Sequence, residues 1–346
     1  MTLGKCRGGF RVGAQWCGIV GAMNNASDSS LTSDAPRSVG NSNASVSPIL
    51  TVIGDAVTDV VVWPEGPAQP GTDNPARIVS TQGGSAANVA VAAARRGAQT
   101  GITSRFIGQI GTDPAGDHLV RVLAAAGVDT CVHRIGVSGK VVVIVDADGE
   151  RTMYPDRGSA AELSVIPPHW LEGTRILHVP FYGLVAEPMR SAVLYAISAV
   201  QAVGAQVSLD LSATSVLQEM GVAKVRHLLQ QIGPHILFAN AAEAELIDLD
   251  VDPHLSVGIH VIKNGAAPAT VGTWVPDVVR NDFIVEWTEV PAQEVPEVRD
   301  TTGAGDRFAA GFLAARLMGA DPVEAAQAGH TAAASSLALP GSGEMG

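Results

Sequence analysis

Between residues 176 and 263, short aliphatic runs alternate with segments of helical length, and no other feature of the chain constrains its fold more. Residues 176–179, 206–211, 236–240 and 260–263 read as strands, and 187–203, 215–231 and 241–248 as the helices between them. Strands separated by helices pair in parallel, and continuous apolar runs of this kind belong to strands covered on both faces. The rhythm begins earlier, with an apolar run at 49–53 closed by Gly54, an Ala- and Val-rich helix at 88–96 that stops at Gly97, and a strand at 101–110. A further helix opens at 111–115, with Thr112 or Asp113 as cap and Pro114 in its first turn, and ends at Gly127. Two Ala-rich helices, 304–318 and 322–338, close the chain.

Extended pieces at 59–63, 77–81, 131–135, 140–146 and 151–154 interrupt this pattern. Asp148-Gly149 between the last two is a hairpin signal. These pieces predict a small antiparallel sheet outside the main one, and 269–274, 283–286 and 289–291 a later antiparallel set. Residues 64–75, with Pro64, Gly66, Pro67, Pro70, Gly71 and Pro75, read as an exposed loop.

The composition narrows the class. Of 346 residues, 46% are hydrophobic and only 16% charged, which fits a globular domain with a large core. The net charge of −12 repels nucleic acid and anionic membrane, so neither is an expected partner. Cys6, Cys17 and Cys131 form no disulfide framework and no zinc motif, and read as reduced thiols of a cytoplasmic protein. No apolar run has the length of a spanning helix. Residues 1–47 read as a disordered N-terminal extension ahead of a domain over 48–346. Lys5, Arg7 and Arg11 before the glycine-interrupted 12–23 imitate a signal peptide poorly, and Met23 is a candidate start. The sequons at Asn25 and Asn43 fall in the same stretch.

Four segments carry chemistry. Asp300-Thr301-Thr302-Gly303-Ala304-Gly305-Asp306 directly precedes a helix. Its glycines let successive amides converge, and the helix N-terminus adds partial positive charge, which together make an anion cradle. Asp306 reads either as a helix cap or as a base that takes a proton from an attacking hydroxyl. Gly83-Gly84-Ser85-Ala86-Ala87-Asn88 permits close approach of backbone to ligand, with Asn88 offering donor and acceptor; a plain strand-to-helix turn has the same look. Asn240 and Glu243 lie three apart at a strand end, as a capping box or as ligands for water around Mg²⁺. Asp55 and Asp59 follow the first strand, at the edge where open α/β sheets bind ligands. The terminal Gly341-Ser342-Gly343-Glu344-Met345-Gly346 matches GxGxxG with no helix to follow it, and no P-loop motif is present. His178, His260 and His330 have no metal spacing.

Together these segments resemble the PfkB, or ribokinase-like, carbohydrate kinase family over about residues 49–343. The glycine-pair segment through Asn88, Gly97 and Gly108 resembles the family's N-terminal signature, and Asp300–Asp306 its C-terminal one. The resemblance implies a three-layer α/β/α sandwich with a mostly parallel central sheet and a small β-sheet lid, drawn from strands within 59–82 and 131–155. It implies transfer of the ATP γ-phosphate to a hydroxyl, with Asp306 as base and the Gly303, Ala304, Gly305 turn as anion hole. It further places Asp55, Asp59, Gly83, Gly84, Asn88 and Arg157 at the substrate, and Asn240, Lys263, Gly265 and Thr302 at ATP. Glu243 falls near Mg²⁺, and Asp300 where many members hold a monovalent cation such as K⁺. The expected substrate is a sugar or nucleoside, and the lid edges permit a homodimer.

The departures concern substrate. Val57 stands where ribokinase-like members have Asn, Ser85 where they have Lys, and no Glu follows strand 176–179. Tyr154 and Arg157 suit a larger or acidic sugar, and Phe181 or Tyr182 suits a nucleoside base. A silent sugar-binding regulator on the same scaffold is the remaining alternative.

Overall fold

The structure is a computed structural model, and it describes residues 47–146, 148–249, 252–255, 258–277, 282–296 and 301–337. The expectations for residues 1–46, for Asp300 and for the terminal 341–346 motif lie outside the described residues.

In chain order the first elements are β1 (Ile49–Ile53), β2 (Val57–Pro64), β3 (Ala76–Gly83), α1 (Ser85–Thr100), β4 (Thr103–Ile110) and α2 (Pro114–Ala125). Next come β5 (Asp129–Arg134), β6 (Ser138–Val145), β7 (Arg151–Gly158), β8 (Thr174–Pro180), α3 (Met189–Ala202) and β9 (Gln206–Asp210). The chain continues through α4 (Thr214–Met220), α5 (Val222–Ile232), β10 (Ile236–Asn240), α6 (Ala241–Leu246) and β11 (Ile259–Lys263). It ends with β12 (Ala269–Asp277), β13 (Asp282–Val290), α7 (Ala304–Leu317) and α8 (Pro322–Leu337).

The large sheet has nine strands in the order β13-β12-β11-β10-β9-β8-β1-β4-β5. Its strands are parallel from β11 through β5, and β12 and β13 form an antiparallel hairpin at one edge. Alternation along each strand feeds two separate cores. Ile53, Leu177, Val179, Val207, Leu209 and Leu237 pack with Val193 of α3 and Leu229 of α5. Leu50, Val52, Phe106, Ile236 and Phe238 pack with Ala90 of α1 and Phe308, Phe312 and Leu313 of α7. The apolar runs of the sequence thus arise because both faces of each strand are covered.

The second sheet has four strands in the order β3-β2-β6-β7, with β2 and β6 parallel and the outer pairs antiparallel. The hairpin expected at Asp148-Gly149 joins β6 to β7. One assignment needs correction. Residues 131–135 were expected in the small sheet, but β5 lies on the edge of the large one, parallel to β4 from Arg105↔Asp129 to Ile110↔Arg134. The helix before β5 supplies the crossover that a parallel pair requires, so its short extended run carried too little information to choose a sheet.

Two helix boundaries also differ from expectation. The helix expected over 215–231 is broken at Gly221 into α4 and α5. α1 runs past Gly97 to Thr100 and ends at Gly101, which is left-handed at φ 76° and donates its N–H to the Gly97 carbonyl. Gly97 is there for space: a Cβ on it would stand 2.5 Å from the Ile102 carbonyl oxygen. Alanine in a helix interior normally gains about 0.5–1 kcal/mol over glycine. Here the clash with backbone reverses the sign. Gly97→Ala is expected to destabilise the fold by about 1–3 kcal/mol, read as a lower Tm in thermal unfolding; an unchanged or raised Tm would refute the packing argument.

Candidate functional site

α7 begins at Gly303, whose left-handed φ of 68° turns the chain into the helix. Asp306 lies in the first turn, where a carboxylate often caps, yet the α7 N-terminus has no side-chain capping bond. Its oxygens instead point across the molecule. Oδ1 accepts from the Ser85 hydroxyl at 2.6 Å and Oδ2 from Asn88 Nδ2 at 2.8 Å. Both donors sit in the first turn of α1, so the carboxylate lies where the N-termini of two helices converge, a position that favours an anion. The cap reading of Asp306 therefore fails. The Ala304 amide donates to the Thr301 carbonyl at 3.2 Å. The Gly305 and Asp306 amides belong to the first turn, which has no carbonyl within the helix to receive them.

Asp306 opens onto a cleft of about 1580 Å³ between the small sheet and the C-terminal edge of the large one. Adjacent strands deliver a row of polar groups to that edge: Lys263 from β11, Asn240 from β10, Asp210 from β9, Tyr182 just after β8 and Asp55 just after β1. Parallel strands all end on one side, which is why the row forms. Val141, Val143 and Met153 of the small sheet face the cleft from the other side. Within the described residues, the sequence-predicted site residues line this cleft, with the exceptions of Gly83, Tyr154 and Phe181. Gly83 is buried directly beneath Asp59, where a Cβ would fall 2.2 Å from the Asp59 Cγ.

The carboxylates differ in how each is held. Asp55 receives two hydrogen bonds from Arg157, at 2.7 and 2.8 Å, a bidentate pair that ties β7 of the small sheet to the end of β1. Asp210 is ion-paired with Lys263. Asn240 and Glu243 form a reciprocal capping box, with Asn240 Oδ1 accepting from the Glu243 amide at 2.8 Å and Glu243 Oε2 from the Asn240 amide at 2.8 Å. Asn240 Nδ2 also donates to Glu243 Oε1 at 2.7 Å. The capping reading is thus correct as geometry, and the same two residues line the cleft. Burial, then the neighbouring Asp210, pushes the Glu243 pKa up. Burial likewise pushes Asp306 up, against the lowering effect of Ser85 and Asn88. Burial and the nearby Asp306 charge raise Asp59 to about 6.

Among the described residues no group of three or more His, Cys, Asp or Glu side chains is placed to hold a metal ion alone. A Mg²⁺ at this cleft fits only as an ion carried largely by phosphate oxygens and water, beside Glu243, whose oxygens already accept from Asn240.

Two readings of single residues change, and one residue was missed. Phe181 is fully buried in the core, so Tyr182 is the aromatic that faces the cleft. Tyr154 is 58% exposed on the opposite face of the small sheet. Asp210 was missed, although it ends a buried strand as Asn240 does, and the strand-end rule that found Asn240 finds it too. His178, His260 and His330 are buried, and His330 also borders the cleft.

Residues 49–345 match the profile of the pfkB family carbohydrate kinase. A fructokinase of Klebsiella pneumoniae is 33% identical over 273 residues, covering 76% of this chain and 82% of its own. Among solved structures, the adenosine kinase of Sinorhizobium meliloti superposes with a TM-score of 0.71 at 20% identity, over 85% of this chain and 95% of its own. A ribokinase II of Escherichia coli, solved with ATP and Mg²⁺, gives 0.68 at 22% identity, over 85% and 94%.

The raised Asp59 pKa makes a stability prediction. The folded state binds this proton more tightly than an unfolded chain, whose carboxylate keeps its ordinary value of 3.8. The associated stabilisation is complete below that value and is lost as pH rises through about 6. Asp59→Asn is therefore expected to raise Tm at pH 7.5 by roughly 2–6 °C, with the gain shrinking towards pH 4. A pH-independent difference in thermal unfolding would refute this.

Proposed function

The chain belongs to the pfkB family of carbohydrate kinases, and from that premise we propose that it transfers the γ-phosphoryl group of ATP to a hydroxyl of a sugar or sugar-like acceptor, with Asp306 as general base. The observation that carries this reading is the direction of the Asp306 carboxylate, which turns away from its own helix end and into the cleft.

In this reading Asp306 takes the proton of the acceptor hydroxyl as its oxygen attacks the γ-phosphorus. The bond from that phosphorus to the bridging oxygen breaks, and ADP leaves with the electron pair. Negative charge on the transferring group is met by the first-turn amides of Gly305 and Asp306 and by Lys263. Lys263 suits this work because its ammonium is already held at the end of β11 by Asp210, close to Gly305. Bound Mg²⁺ would neutralise phosphate charge, with Glu243 and Asn240 ordering its water. Gly265 and Thr302 would border the nucleotide. A K⁺ requirement is part of the same proposal, with Thr302 beside the Asp300 position. Asp59, Asn88 and the Gly84 backbone would receive the acceptor hydroxyls, and the small sheet would serve as a lid that excludes water.

Arg157 is matched one-to-one by Asp55, so among the described residues the acceptor end carries no spare cation, and Asp59 adds a carboxylate. That favours a neutral polyol over an acidic sugar. Tyr182 on the cleft wall supports a nucleoside as the second reading. The lid's outer face, with Ile78, Val142 and Tyr154 at 61%, 37% and 58% exposure, supports pairing of two copies. ATP chemistry with a free thiol at Cys131 suits a cytoplasmic setting.

A coupled ADP-release assay with D-fructose, D-ribose, adenosine and 2-dehydro-3-deoxygluconate tests the proposal. Turnover is expected with a neutral acceptor, and Asp306→Asn is expected to lower kcat by about 10³-fold while ATP binding by calorimetry persists. Undiminished turnover in that variant refutes the base. Tight sugar binding without any transfer supports the silent regulator instead.

A further inference from the structure

We propose that Ser85 is a positioning residue for the base: its hydroxyl fixes Oδ1 of Asp306 and leaves that oxygen's second lone pair for the acceptor hydroxyl. This inference rests on the reading of Asp306 as base.

The geometry is specific. The Ser85 Oγ lies 2.6 Å from Oδ1 and donates to it, because an ionised carboxylate only accepts. Asn88 Nδ2 holds the other oxygen at 2.8 Å. The Asn88 amide is itself oriented, since its Oδ1 accepts from Gln82 Nε2 at 2.9 Å, which turns Nδ2 towards Asp306. Gln82 is 8% exposed and also donates to the Gly83 carbonyl at 3.0 Å. Asp306 is thus gripped at both oxygens from the first turn of α1, 221 and 218 residues away in sequence. A carboxylate oxygen has two lone-pair sites, so neither grip blocks the reaction.

The grip has work to do because the surroundings oppose a charged Asp306. Asp59 on β2 and Asp210 on β9 are anionic neighbours, and burial disfavours the ionised form. Lys263 on β11 opposes them, although it is shared with Asp210. Tyr182 after β8 and Glu243 of α6 border the same space, Glu243 within charge range of Lys263, and the Arg307 guanidinium, next along α7, donates to the Thr302 carbonyl at 2.9 Å. The Ser85 and Asn88 hydrogen bonds are the contacts that favour the anion directly. A base that must be ionised to accept a proton depends on them.

The test is the pH profile of kcat/KM for the fastest acceptor of the four-substrate panel, in Ser85→Ala, Ser85→Thr and the parent. In Ser85→Ala the acid limb is expected to move to higher pH by about 0.5–1 unit, so that kcat/KM falls about three- to tenfold on the acid limb near pH 6 and less than threefold at pH 8.5. Ser85→Thr, which keeps the hydroxyl, is expected to restore the limb. Direction separates the two carboxylates. Losing Ser85 favours the neutral form of Asp306, which weakens repulsion on Asp59, so a limb belonging to Asp59 would move to lower pH. A Ser85→Ala protein with parental Tm and an unmoved or downward-moved limb overturns the inference, as does a threonine variant that fails to restore it. Asp306→Asn is measured beside them. If it retains activity, or if the parent turns over none of the acceptors, the base reading itself falls; if it is inactive and Ser85→Ala keeps the parental profile, only this inference does.

Discussion

The cleft depends on one constraint, the common direction of the strands from β11 through β5. Parallel strands bring their C-terminal ends to a single edge, and five adjacent ones supply Lys263, Asn240, Asp210, Tyr182 and Asp55 in a row. The connecting helices must return over the faces, so their N-termini also start at that edge. α1 and α7 place theirs close enough for Ser85 and Asn88 to reach Asp306. Helix N-termini that converge on one edge favour an anion there before any particular side chain is chosen.

The cleft's electrostatics rest on how Asp55, Asp59, Asp210, Glu243 and Asp306, five of the carboxylates that line it, are each held in a chain of net charge −12. Each has a different environment. Arg157 meets Asp55 as a fork, Lys263 meets Asp210 as a point charge, and Asn240 wraps Glu243 at a helix start. Asp306 is met by two neutral donors, which favour its ionised form while burial opposes it. Asp59 is pushed to about 6 by burial and by Asp306, so the two carboxylates nearest the proposed acceptor titrate against one another. The ion pairs fix geometry, while in the proposed mechanism the neutral contacts leave Asp306 able to accept a proton.

Much of the fold was legible in the sequence because its signals are local. The period of the apolar runs, the glycines of the GAGD turn and the strand-end positions of Asn240 and Lys263 each report on their own neighbourhood. Misreadings arose where a local sign has two tertiary outcomes. Gly97 looks like a stop until Ile102 is seen packed against it. Residues 131–135 read as a strand of the small sheet, and only their pairing with β4 assigns them to the large one. Phe181 and Tyr182 are adjacent aromatics, and only the path of the chain after β8 decides that one is buried while the other faces the cleft.

The sequence alone therefore determined the α/β layering and singled out the glycine turn at 303–305 and Asp306 on which the proposed function rests. Tertiary structure alone decided that Asp306 is not a cap, that Arg157 is spoken for by Asp55, that Asp210 holds Lys263, and that Ser85 reaches the base at all. The physical reason is range. Periodicity and turn chemistry act over a few residues, whereas the pairing of a charge depends on which distant side chain the fold brings within about 3 Å.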